Sequence, residues 1–254
     1  MKVLELNVEN TVAIIRLNNG KVNAINHQLA SELGTVFSEL ETDDTVSGIV
    51  LTGSTGAFSA GLDVVEVAQQ TEEEARAFWV AYFGALQAMV RYSKPFVCAI
   101  TGFAPAGATI LTLCADYRIM AQEPKHVIGM HEFKLSMQVP ELMMDIWCYT
   151  LGEQKAFQAL QNATLFSAHD ALQENIVQEI APAAEVLPKA LAHMEKCLNV
   201  YAPVYIESKR LARKHLLALV DRDLDQLATD FVAFGKDPQM RKRIAEFAER
   251  LKQK

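Results

Sequence analysis

The chain has 254 residues, half of them hydrophobic, enough for one large domain or a domain with an appendage, and for a substantial core. A net charge of −7 argues against a general nucleic-acid binder. No apolar stretch is long enough to span a bilayer, and the N-terminus lacks the apolar block of a signal peptide. The four cysteines show no C-x-x-C spacing and the six histidines no paired ligand spacing, so the expectation is a cytoplasmic protein without a metal site. Charge is uneven along the chain: residues 201–254 hold 12 basic and 8 acidic side chains, against 12 and 23 in the remainder. A solvated helical face, an acidic face of another subunit or an anionic ligand would each suit that basic segment.

In chain order, residues 3–8 and 11–17 read as a hairpin turning at Glu9-Asn10. After the turn signal Asn18-Asn19-Gly20, residues 25–40 carry Leu29, Leu33, Val36, Phe37 and Leu40 at helical spacing. Residues 45–52 form a buried strand leading to a first glycine loop, Ser59-Ala60-Gly61-Leu62-Asp63. Thr71-Glu72-Glu73-Glu74 is a capping pattern that opens a helix running through Phe78, Tyr82, Leu86 and Val90. A strand over 95–100 feeds a second loop, Gly102-Phe103-Ala104-Pro105-Ala106-Gly107-Ala108, followed by a buried helix over 108–114 and a strand over 116–120. This alternation predicts an α/β architecture. Beyond residue 130 helices dominate, with starts at Ser167-Ala168-His169-Asp170 and Asp237-Pro238. The last third reads as a helical appendage without a flexible linker.

Small residues at strand exits let backbone approach a ligand and leave N–H groups free for it. Either loop alone also reads as an ordinary turn or a close helix–strand contact. Together they could hold a carbonyl oxygen between two N–H donors, which points to chemistry on an acyl group. Neither matches a nucleotide-binding fingerprint. The candidate base is Glu132, in Ile128-Gly129-Met130-His131-Glu132-Phe133, because an apolar setting raises a carboxyl pKa toward neutrality. It also reads as a surface glutamate paired with Lys134, and His131 could be the base instead. Asp63 fits a turn or cap acceptor. Asp116 and Arg118 share one face of an alternating strand and suggest a structural ion pair.

The ordered motifs Leu17-Asn18-Asn19-Gly20-Lys21-Val22-Asn23-Ala24-Ile25, then residues 48–63, 94–119 and 128–135, resemble the crotonase (enoyl-CoA hydratase/isomerase) superfamily over essentially the whole chain. The resemblance implies a spiral of ββα units in a core over 1–195, with a C-terminal helical oligomerisation region over 196–254. It implies homotrimers or dimers of trimers. It makes Leu62 and Gly107 the oxyanion-hole donors and lays Ala60, Gly61, Leu62, Asp63 and Val64 along the coenzyme A of an acyl-CoA, with Ile110 and His131 also at the substrate. Hydratases of the superfamily use two glutamates; the first falls on Ile110 here and the second on Glu132. The motifs are most similar to the mitochondrial-type Δ3,Δ2-enoyl-CoA isomerases, which use one glutamate, with departures at His131 and Ala108. The implied activity is conversion of 3-enoyl-CoA to trans-2-enoyl-CoA in fatty-acid β-oxidation, with no cofactor beyond the CoA of the substrate, no membrane partner and no nucleic acid. Hydration or hydrolysis of an acyl-CoA is the alternative chemistry. A CoA- or RNA-binding protein without catalysis is the alternative of another class, for which Lys209-Arg210-Leu211-Ala212-Arg213-Lys214 and Arg241-Lys242-Arg243 are the candidate basic clusters.

Overall fold

The computed structural model describes residues 1–252. Strands β1 (Leu4–Glu9) and β2 (Val12–Leu17) pair antiparallel as the hairpin expected from sequence, and α1 (His27–Thr42) follows. Asn26 caps α1 by accepting from the Leu29 N–H at 3.0 Å. Three strand–strand–helix units come next. β3 (Gly48–Thr52) and β4 (Gly56–Ala57) lead through the short α2 (Val64–Val67) to α3 (Glu72–Arg91). β5 (Phe96–Ile100) and β6 (Gly102–Pro105) lead to α4 (Gly107–Leu113). β7 (Tyr117–Ala121) and β8 (Val127–Gly129) lead, through a 3₁₀ turn at Glu132–Leu135, to α5 (Glu141–Leu151). The core finishes with α6 (Glu153–Gln161), β9 (Phe166–Ser167), α7 (Ala168–Gln173), β10 (Glu179–Ala181) and α8 (Ala183–Leu198). Four helices close the chain: α9 (Ala202–Ala212), α10 (Lys214–Val220), α11 (Leu224–Phe234) and α12 (Pro238–Lys252). No described helix is long and apolar enough to cross a membrane.

The first strand of each unit joins a sheet ordered β1-β2-β3-β5-β7-β10, and the second joins a smaller sheet ordered β4-β6-β8-β9. Each unit therefore advances one position along both sheets, which is what makes the chain a spiral. Because the crossover repeats, β2, β3, β5 and β7 pair in parallel, with Val50 opposite Val97 and Cys98 opposite Arg118. Helices cover both faces of the large sheet, so β3 and β5 are buried throughout and read as unbroken apolar runs. Leu33 and Phe37 of α1 join one core with Phe78 and Leu86 of α3, while Val186, Ala190 and Met194 of α8 seal the opposite face. In the small sheet Gly56 pairs with Gly102 so closely that a Cβ on Gly102 would sit 2.0 Å from the Gly56 carbonyl carbon. That approach brings the two glycine loops side by side.

Helices dominate beyond residue 130, as expected, and the β9 and β10 found there have two and three residues, too few to show a period of two. Two sequence expectations need correction. Asp116 does not pair with Arg118, because β7 begins at Tyr117 and Asp116 lies outside its alternation. Asp116 instead accepts ion pairs from Lys209 of α9 at 2.8 Å and from Arg213 at 3.0 Å. Arg118 turns inward and donates to the carbonyls of Ile176 and Ala115. Lys209 and Arg213 are consequently almost buried, not part of a solvated basic face.

The C-terminal helices divide into two uses. α11 lies on α3, with Phe231 and Trp79 edge-on at 4.5 Å. α12 crosses α2 and the 3₁₀ turn, where Arg243 donates to Ser136 Oγ at 3.0 Å. Val204 and Leu211 of α9, and Tyr201 just before it, are exposed.

Candidate active site

The first loop is built on Asn23, a fully buried residue at φ +51°, a conformation that asparagine tolerates better than most. Its side chain accepts from the Asn19 N–H at 2.9 Å and donates to the Phe58 carbonyl at 3.1 Å. Ser59, also buried, donates to the Asn23 carbonyl at 2.7 Å and accepts from the Gly61 N–H at 3.1 Å. Ile25 then bridges the loop: its N–H donates to the Gly61 carbonyl, and its carbonyl accepts from the Asp63 N–H. Successive peptide groups of an extended segment face opposite ways. The bridge therefore turns the Leu62 N–H away from Ile25, and it has no acceptor among the described residues. Asp63 caps α2, accepting from Val65 and Glu66 N–H at 3.1 and 3.0 Å, which is the cap role its sequence position suggested. Ala60 and Val64 flank these residues, with Val64 opening α2.

The second loop turns at Ala106, whose φ of 55° and ψ of −127° are strained for a residue with a Cβ. Surrounding bonds hold it there. The Ala106 N–H donates to the Gly129 carbonyl at 2.8 Å, Thr109 Oγ1 donates to the Ala104 carbonyl at 2.7 Å, and Tyr82 donates to the Gly107 carbonyl at 2.8 Å. The Gly107 N–H, at the start of α4, is left without an acceptor among the described residues. The loops abut at Gly61, where φ is +83° and a Cβ would lie 2.9 Å from the Pro105 carbonyl oxygen and 3.6 Å from the Gly107 nitrogen. Two unpaired N–H groups on touching loops are what a carbonyl oxygen acquiring charge requires.

Glu132 opens the 3₁₀ turn after β8 and is 8% exposed, so the surface reading fails. Its Oε2 has no hydrogen-bond partner among the described residues. Burial pushes its carboxyl up to about 7, partly opposed by the N–H groups of Glu132 itself and His131. His131 is half-buried, with an Nδ1 unpartnered among the described residues; burial first, and the Lys134 cation second, hold its imidazole below the usual value. Glu132 and Leu62 line one cavity of about 300 Å³, walled by Trp79 and Met143 of the core and by Phe231 and Ile244 of α11 and α12. Glu72 also lies on this cavity, but it is exposed at the rim and paired with Lys236 at 2.9 Å. Ile110 is sealed in the core within α4. A larger recess of about 590 Å³ opens at Asp116, Lys209 and Arg213, where one carboxylate is shared between two cations.

Sequence reasoning named Leu62, Gly107 and Glu132 but missed the residues that aim them. Asn23, Ser59, Ile25 and Tyr82 act through contacts 25 or more residues apart in the chain, or through a backbone bridge. The one local signal was Asn19-Gly20 followed by Asn23, a run rich in residues that accept positive φ.

A profile of the enoyl-CoA hydratase/isomerase family matches residues 7–254. This chain belongs to that family. As a member of the enoyl-CoA hydratase/isomerase family it is an acyl-CoA enzyme of the crotonase type. Mouse mitochondrial enoyl-CoA delta isomerase 1 is 33% identical over 247 residues, covering 96% of this chain and 84% of that protein. A putative enoyl-CoA hydratase of Thermus thermophilus is 32% identical over 218 residues, covering 84% and 83%. The crystal structure of human mitochondrial delta3-delta2-enoyl-CoA isomerase superposes with a TM-score of 0.94 at 28% identity, covering 99% of this chain and 98% of that one. The spiral of ββα units is thus the fold of this family.

Proposed function

We propose that this family member is a Δ3,Δ2-enoyl-CoA isomerase that works with Glu132 as its one base. The observation that carries the reading is a single buried carboxylate, with one oxygen unpartnered among the described residues, on the cavity that also bears the Leu62 donor; the family resemblance supports it by placing Ile110 where hydratases carry a second glutamate. The thioester carbonyl acidifies C2–H, and ionised Glu132 removes that proton from a 3-enoyl-CoA. The electron pair moves into a dienolate whose oxygen lies between the N–H groups of Leu62 and Gly107. Glu132 returns the proton at C4, the double bond settles between C2 and C3, and the base is regenerated. Each oxyanion donor in comparable sites contributes roughly 10²–10³ in rate. Apolar walls keep water from the dienolate and strengthen those hydrogen bonds. The reading draws on no cofactor beyond the CoA of the substrate.

Glu132→Gln should lower kcat on a 3-enoyl-CoA by about 10²–10⁴-fold, the usual span for a positioned general base, while acyl-CoA still binds. Formation of the conjugated thioester, followed by absorbance, measures it. Turnover by Glu132→Gln above a tenth of the wild-type rate would sink the assignment, as would 3-hydroxyacyl-CoA as the main product from a 2-enoyl-CoA. The reading extends to a homotrimer or dimer of trimers, supported by the apolar side chains that α9 leaves exposed. RNA binding is disfavoured because Lys209 and Arg213 are committed to Asp116.

A further inference from the structure

We propose that Thr109 is a positioning residue that sets the Gly107 donor against Glu132, by bonding the donor loop to the strand end that carries the base. The proposal rests on the isomerase reading of this site and adds a residue to its machinery. Thr109 lies in the first turn of α4 and is fully buried. Its hydroxyl has one proton to give. That proton goes to the Ala104 carbonyl at 2.7 Å, with the Gly129 carbonyl at 3.1 Å as a second acceptor, and the oxygen accepts from the Gly129 N–H at 2.8 Å. A threonine hydroxyl inside a helix ordinarily returns to a carbonyl one turn back, as Thr112 does in donating to the Thr109 carbonyl at 2.7 Å. Thr109 instead leaves its own helix, reaching back into β6 and across to the last residue of β8.

Gly129 stands three residues before Glu132, and the donor loop engages both of its backbone groups. Its N–H goes to Thr109, and its carbonyl accepts from the Ala106 N–H at 2.8 Å. On its other side there is no room to move. Gly129 has φ +138°, and a Cβ there would lie 2.5 Å from the Thr164 carbonyl oxygen and 3.2 Å from the Phe166 ring. The end of β8 is thus held between residues 164–166 and the start of α4. Among the described residues, Thr109 is the one side chain that hydrogen-bonds from the segment 102–113 to the segment 127–135. The pairing of β6 with β8 ends at Pro105 opposite Gly129, and Gly107 lies beyond it. The Ala106 N–H is one attachment past that rung, about which the Gly107 peptide could swing. The Thr109 hydroxyl is a second attachment and fixes the angle. Isomerisation needs the thioester oxygen on the Gly107 N–H while Glu132 reaches first C2 and then C4. An error of ~1 Å in that spacing costs up to roughly 10²-fold in rate.

The test compares Thr109→Val, which keeps the branched shape and loses the hydroxyl, with Thr109→Ser, which keeps the hydroxyl. Thr112→Val is the control, a buried hydroxyl of the same helix with only a local bond. All are assayed on 3-hexenoyl-CoA, well below their own melting temperatures. In Thr109→Val, kcat should fall about 10- to 100-fold while KM stays within about twofold, the mark of an interaction that counts in the transition state. Thr109→Ser should keep kcat within about threefold of the wild type, and Thr112→Val should match it. If Thr109→Val fails to fold, Thr109→Ala carries the same expectation, since it demands no extra space. A hydroxyl-free variant within about threefold of the wild-type kcat would overturn the proposal. So would an equal loss in Thr109→Ser or Thr112→Val, which is the pattern of a packing defect. Exchange of the C2 protons of butyryl-CoA into D2O, followed by NMR, separates this proposal from the isomerase reading, because exchange needs the donors and the base but no double bond. Wild-type exchange without isomerisation, lost in Thr109→Val and kept in Thr109→Ser, would remove the isomerase reading and leave Thr109 its role. Isomerisation that Thr109→Val performs as well as the wild type would do the reverse. A wild type that neither exchanges nor isomerises would remove both.

Discussion

On the proposed reading, the burial of Glu132 serves chemistry at the expense of stability. Its carboxyl titrates at about 7 in the folded protein against 4.5 for the unperturbed group, because ionising it inside the cavity removes it from water. The neutral acid is therefore the form that the fold prefers. The destabilisation is absent below about pH 4.5, grows as the pH rises, and is complete above about 7, where it amounts to roughly 3 kcal/mol. Glu132→Gln cannot ionise, so its melting temperature should exceed that of the wild type at pH 8, and the advantage should shrink toward pH 5. A constant difference across that range would mean that the carboxyl is not raised. The same titration governs the rate: kcat/KM should climb through about pH 7 as the base loses its proton, with no such limb left in Glu132→Gln. This residue was legible in the sequence as a carboxylate among apolar neighbours. Its isolation was not, since Lys134 two residues on offered an equally local partner, and only the fold turns Glu132 inward.

Among elements, the most consequential join is between α9 and the sheet. Asp116, at the entry to β7, takes Lys209 and Arg213, while Tyr205 donates to the same carboxylate at 3.2 Å. Arg213 also donates to the carbonyls of Cys114 and Ala115 at the end of α4. Burial depresses the Lys209 ammonium to about 8, with Asp116 opposing the shift. Asp116→Asn leaves two nearly buried cations facing each other, and should cost about 3–5 kcal/mol in urea unfolding. Adding Lys209→Met should recover part of that loss, since the second cation no longer needs a partner. If Asp116→Asn costs less than about 1 kcal/mol, the join is ornamental. Sequence periodicity gave no access to this network. A basic run on a helix looks the same whether its charges meet water or a carboxylate some ninety residues away. By contrast the Thr71 capping box, the Ser167 cap and the Asp237 cap were readable, because each uses neighbours within four residues.

At the scale of the whole molecule, α11 and α12 complete the cavity beside Glu132 from within the same chain, while Val204 and Leu211 of α9, and Tyr201 just before it, face outward. Sedimentation should accordingly give a trimer or a pair of trimers. Tyr201→Glu with Val204→Glu should shift the population to smaller species, and a monomeric wild type would remove that part of the proposal. The sequence alone determined the α/β class, the ordered glycine loops and the candidate base. Those properties are local: they rest on periodicity, capping and residue identity within short windows. Tertiary structure decided that the two loops touch, that the Leu62 and Gly107 N–H groups find no acceptor among the described residues, that Glu132 faces a cavity, and that α11 and α12 line it. Each of these depends on surfaces brought together across tens to more than a hundred residues, where burial and the competition for hydrogen bonds are settled only once the chain has packed.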